Sequence, residues 1–135
     1  MKKIMQFGTG VVLTLSIFSC SNGQESAQTT GVFEDVNVEQ FTQHKEGAQL
    51  LDVRTPDEWN QGIIEGATMY NFYDADFKDR ISKLNKDVPV AVYCKSGGRS
   101  GQTGAMLRDM GFKEVYNLKG GIGAWNAAGK PTVKP

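Results

Sequence analysis

Apolar residues along this chain recur in two rhythms. Val32-Phe33-Glu34-Asp35-Val36 alternates and predicts a short edge strand. Val38 to Lys45 carries Val38 and Phe41 at helical spacing, with Gly47 beyond its end, and predicts a short helix. Gln49 to Val53 reads as a strand. Thr55-Pro56-Asp57-Glu58 opens a helix, because Thr55 can cap it, Pro56 suits its first position and Glu58 can complete a capping box. Thr68 to Phe72 is the next strand candidate. Asp76 to Leu84 sets Phe77, Ile81 and Leu84 on one helical face opposite charged residues. Asp87-Val88-Pro89 turns into Val90 to Tyr93, an apolar run that predicts a strand buried on both faces. Gln102 to Met110 forms a helix with Ala105, Met106, Leu107 and Met110 inward and Gly111 as its stop. Val115 to Leu118 is the last strand. Gly120 to Ala128 closes the chain as a helix around Ile122 and Trp125. Strands that alternate with helices predict an α/β domain with a mainly parallel sheet.

The first residues follow neither rhythm. Lys2 and Lys3 precede an apolar stretch from Phe7 to Phe18, which is shorter than the roughly 20 residues of a membrane-spanning helix. This pattern predicts a signal peptide over residues 1–19. Ile17-Phe18-Ser19-Cys20 resembles a bacterial lipoprotein box, which implies that Cys20 carries lipid. Ser21 to Gly31 is polar and without apolar periodicity, so residues 20–31 read as a lipidated cysteine and flexible tether with a reach on the order of 20 Å. The folded domain is expected over residues 32–135. The expected location is the bacterial cell envelope, at the periplasm or outer surface, held by the lipid alone.

Composition narrows the chemistry. Lys and Arg together number 15, as do Asp and Glu, and this balance argues against a nucleic-acid partner. One histidine and two cysteines cannot assemble a four-ligand zinc site, and no metal is expected. His44, at the end of the first helix, is expected to be solvated there and to complement the helix dipole.

Candidate chemistry concentrates in Cys94-Lys95-Ser96-Gly97-Gly98-Arg99-Ser100, between a buried strand and a helix. A helix start leaves several N–H groups without intrahelical partners. Glycines let such groups turn inward as an anion-binding nest. A free thiol has a pKa of about 8.5, so roughly 3% is thiolate at neutral pH. Lowering that value by about two units, a differential of about 2.7 kcal/mol, makes thiolate the major form. The nest, the helix dipole, Lys95 and Arg99 are the expected sources. The competing reading is an inert buried cysteine. Packing alone gives no reason for two glycines, a lysine and an arginine in the next five positions.

This loop resembles the active-site loop of the rhodanese (thiosulfate sulfurtransferase) family. Leu50-Leu51-Asp52-Val53-Arg54-Thr55-Pro56-Asp57-Glu58-Trp59, Gly66-Ala67 and Asn117-Leu118-Lys119-Gly120-Gly121-Ile122-Gly123-Ala124-Trp125 resemble other characteristic segments of that family. The likeness runs from about Val36 to Val133. Ile63 and Glu65 depart from the His and Pro usual there. The resemblance implies a small parallel sheet with helices on both faces and a catalytic Cys94. It implies a substrate-binding loop of Lys95, Ser96, Gly97, Gly98 and Arg99, supported by Asp52, Arg54 and Ser100. Asp52 is expected to form a structural ion pair; Arg54 can either join it or touch substrate. The implied reaction moves a sulfane sulfur from thiosulfate or a persulfide, through a Cys94 persulfide, to a thiol or cyanide, with no cofactor. A non-enzymatic persulfide carrier or redox-sensing module shares the nucleophile and is the main alternative. A cysteine phosphatase or arsenate reductase uses a longer loop than the four residues Lys95 to Gly98 between Cys94 and Arg99. The mercaptopyruvate branch typically lacks the closing arginine that Arg99 supplies.

Overall fold

The computed structural model describes residues 31–135, together with Gly8 and Gly10. The signal peptide, Cys20 and the tether lie outside the described residues.

Ten elements alternate along the domain: β1 (Val32–Val36), α1 (Val38–His44), β2 (Gln49–Asp52), α2 (Pro56–Trp59), β3 (Thr68–Met69), α3 (Phe77–Ser82), β4 (Val90–Tyr93), α4 (Gly98–Asp109), β5 (Glu114–Leu118) and α5 (Gly121–Ala127). The five strands form one sheet in the order β1-β5-β4-β2-β3. Every ladder between them is parallel. β4 lies at the centre and is buried along its length.

Strand alternation sorts side chains into two cores. Leu51, Val53, Val90, Val92, Cys94 and Val115 pack on one face against Phe77 and Ile81 of α3 and Leu107 of α4. Leu50, Ala91, Tyr93 and Leu118 pack on the other against Phe41 of α1 and Ile122 and Trp125 of α5. Helices therefore cover both faces, as the family resemblance implies. In phase with Val90 and Val92, Cys94 falls on the α4 face at the carboxyl end of β4, the edge where parallel sheets gather their sites.

Three local expectations change. β3 stops at Met69 rather than Phe72, although the Tyr70 N–H still donates to the Asp52 carbonyl at 2.9 Å and the Phe72 N–H to the Val53 carbonyl at 3.3 Å. The chain then turns, with the Asn71 side chain accepting from the Tyr73 N–H at 3.1 Å. α4 begins at Gly98, not Gln102. Two glycines with poor helix propensity conceal its first turn. His44 is half-buried rather than solvated, stacked on Tyr116 at 3.7 Å between ring centroids. The C-terminal residues also return to the domain: Ile63 and Val133 exchange backbone hydrogen bonds at 2.8 and 2.9 Å.

Candidate active site

Cys94 leaves β4 with its side chain 1% exposed. The chain then reverses through Gly97, whose φ of +103° lies in the left-handed region that glycine tolerates. That reversal aims the Gly97 N–H back at the sulfur, to which it donates at 3.1 Å. One turn later the Ser100 hydroxyl, fully buried, donates to the same sulfur at 3.3 Å. Burial pushes the thiol pKa up. Hydrogen bonds from the Ser100 hydroxyl and from the Ser100, Ser96 and Gly97 N–H groups outweigh it, and the pKa lies below the free-thiol value. Local hydrogen bonds thus stabilise the thiolate, as expected of the loop's N–H groups, and the Arg99 charge interacts favourably with Cys94 as well.

The loop is held from behind by α5. Ile122 N–H donates to the Cys94 carbonyl at 2.9 Å and Gly123 N–H to the Lys95 carbonyl at 3.2 Å. Gly121 makes this approach possible: a Cβ there would overlap both of those carbonyl oxygens.

Two ion pairs frame the loop. Arg54 lies 3% exposed against fully buried Asp52, with Nε at 2.9 Å from Oδ1 and Nη2 at 2.6 Å from Oδ2. Its remaining bonds go to the Glu58 carbonyl at 3.2 Å and the Gly62 carbonyl at 2.7 Å. Arg54 therefore ties β2 to α2 and the following loop, and it also lines the cleft beside Lys95. Asp52 is the structural partner expected.

Arg99 closes the loop through an ion pair. Its Nη1 and Nη2 both reach the Glu58 carboxylate at 2.8 Å, which joins α4 to α2 across the mouth of the loop. Arg99 holds Glu58 well below the usual carboxylate range, at about 2, and the Thr55 N–H adds to the effect. Tyr73, 68% exposed, lies 5.8 Å from the Arg99 guanidinium carbon. Phe77 is core and Phe72 packs beside it. Of the two loop cations, Lys95 is the exposed one, with no salt bridge among the described residues. It lines a cleft of about 250 Å³ together with Arg54, Glu58, Ile122, Asn126 and Thr132. Ser96 and Gly98 are exposed beside it and contribute backbone to the loop.

Sequence reasoning assigned Ser100 to loop support and missed that its hydroxyl touches the sulfur. Placing the helix start at Gly98 would have put Ser100 in the first turn above the strand end. Glu58 was read as a helix cap alone; that it also binds Arg99 follows from the fold, since the two residues are 41 positions apart.

Fold and site together define a cysteine-centred α/β domain with its thiol cradled at the carboxyl edge of a parallel sheet. The rhodanese-like domain model matches residues 37–128, and the chain belongs to that family. It is 42% identical over 90 residues to a sulfurtransferase of Allochromatium vinosum, covering 67% of this chain and 82% of that protein. It is 33% identical over 98 residues to the thiosulfate sulfurtransferase GlpE of Shewanella oneidensis, covering 71% and 95% respectively. Among solved structures, a rhodanese-related protein from Thermoplasma volcanium superposes with a TM-score of 0.68 at 26% identity, covering 76% of this chain and 99% of that one.

Proposed function

We propose that this protein is an enzyme that transfers sulfane sulfur in two displacements at Cys94. The Cys94 thiolate attacks the outer sulfur of thiosulfate or a related anionic donor. A Cys94 sulfur–sulfur bond forms, the donor's sulfur–sulfur bond breaks, and sulfite leaves with the electron pair. A thiol or cyanide then attacks the outer sulfur and returns the Cys94 thiolate. The reading is carried by the cradle around the sulfur, where Gly97 and Ser100 donate at 3.1 and 3.3 Å. Such donors stabilise the thiolate that attacks and the thiolate that departs. A short loop closed by Arg99 suits a single added sulfur better than a tetrahedral oxyanion. Lys95 at the rim attracts the anionic donor. No residue in this scheme calls for a metal or an organic cofactor.

Turnover distinguishes an enzyme from a persulfide carrier. With thiosulfate and cyanide in excess, the wild type should form many equivalents of thiocyanate and Cys94→Ser none. A single equivalent from the wild type would favour the carrier. The envelope location and lipid anchor at Cys20 are part of the proposal, supported by the Ile17-Phe18-Ser19-Cys20 motif. Cys20→Ala should release the protein from membranes or stop its processing; unchanged membrane association and processing would refute the anchor.

A further inference from the structure

Asn117 occupies an interior position of β5, paired with Asp35 on one side and Val92 on the other. It is 3% exposed, in phase with Val115, and so lies on the sheet face that α4 covers. Its Nδ2 donates to the Asp35 carboxylate at 2.7 Å and to the Gly97 carbonyl at 3.3 Å. Both neighbours only accept, and this fixes the amide's orientation. The consequence is a buried Oδ1 with no hydrogen-bond partner. An orphaned buried acceptor costs stability, and leucine, of similar size, would fill the position without that cost. A polar residue kept there despite the cost calls for a use beyond packing.

The Gly97 carbonyl supplies that use. Gly97 has no side chain to restrict it, and Gly98 follows. Its N–H must nevertheless stay aimed at Cys94. The Asn117 amide and the Gly101 N–H, at 2.9 Å, hold the Gly97 carbonyl from two sides. We infer that Asn117 is a positioning residue for the reaction at Cys94: it clamps the Gly97 carbonyl and thereby keeps the Gly97 N–H on the sulfur. The inference rests on Cys94 being the reacting group. Its test therefore reads the thiol's titration rather than turnover, so that a failure here is separable from a failure of sulfur transfer.

Full-length chains are alkylated with iodoacetamide at pH values on both sides of a free thiol's titration, and modification is followed at the Cys94 peptide by mass. Asn117→Leu removes the donor and fills the space. Asn117→Ser, whose hydroxyl falls short of Gly97, decides the matter if the leucine variant does not fold. Asp35→Asn leaves an acceptor for the Asn117 amide and serves as the control. The expected result is a higher titration midpoint and at least about threefold slower alkylation at neutral pH for the Asn117 variant, with Asp35→Asn unchanged. Should the folded Asn117 variant melt at lower temperature while Cys94 titrates as in the wild type, Asn117 is a packing residue and the inference fails.

Discussion

Ser100→Ala tests the cradle atom by atom. The hydroxyl is fully buried and donates to Sγ at 3.3 Å. Alanine removes one oxygen and is the better helix former, so α4 should persist. A hydrogen bond to a charged group is worth about 1.5 kcal/mol at the low end. About 1.4 kcal/mol is a tenfold change in a protonation equilibrium. On the acid side of the titration, the thiolate fraction should therefore fall about tenfold. The thiolate that remains is more basic, and with a Brønsted coefficient of about 0.4–0.5 it is roughly threefold more nucleophilic toward a disulfide. The two effects give a crossing pattern. Reaction with a small neutral disulfide should be about threefold slower at acid pH and about threefold faster on the alkaline plateau. The assay is stopped-flow release of the pyridine-thione from dithiodipyridine, in a Cys20→Ala background that leaves Cys94 as the one thiol. A pH–rate profile superimposable on that of the parent would refute a role for the hydroxyl. A uniform slowing at every pH would point to lost access instead of lost thiolate stabilisation.

Glu58→Gln and Arg99→Ala should couple in a double-mutant cycle on unfolding by about 1 kcal/mol or more, because the pair is bidentate and largely covered; additive effects would show that the contact contributes nothing to the fold. The folded-state pKa of Glu58, about 2, lies below its ordinary value of 4.5, so its ionised form adds stability that is complete above 4.5 and lost as pH falls toward 2. The stability gap between wild type and Glu58→Gln, measured by urea unfolding, should therefore narrow across that window, and a gap that widens would contradict the assignment. Lys95→Ala should raise the KM for thiosulfate several-fold, with kcat nearly unchanged and weaker salt dependence, since an exposed cation steers an anion without joining the chemistry. An equal loss in kcat would place Lys95 in the chemical step.

The fold was legible because its signals are local. The apolar runs at Leu50 to Val53 and Val90 to Tyr93 mark strands covered on both faces, and the spacing of Phe77 with Ile81 and of Ile122 with Trp125 marks the helices that cover them. Cys94 and its glycine loop stood out because the composition around the cysteine has no packing rationale. What stayed hidden depends on contacts between distant segments. The ion pair of Arg99 with Glu58 joins residues 41 positions apart. Asn117 stood out only as the first residue of a segment that resembles the family, since its hydrogen bond to the Gly97 carbonyl spans 20 positions. The start of α4 was concealed by glycines that the loop needs for its reversal, so that one feature marked the site and masked the helix together. The β3 boundary depends on its pairing with distant β2, which no window of sequence around residue 70 records.

The central claim is that Cys94 accepts a sulfur atom and gives it up. The direct measurement is the intact mass of the domain from Val32 onward after exposure to thiosulfate, then to cyanide. The account predicts a gain of one sulfur mass located at Cys94, its removal by cyanide with formation of thiocyanate, and neither event in a folded Cys94→Ser variant. An unchanged mass after thiosulfate, with Cys94 titrating like a free cysteine, would contradict it.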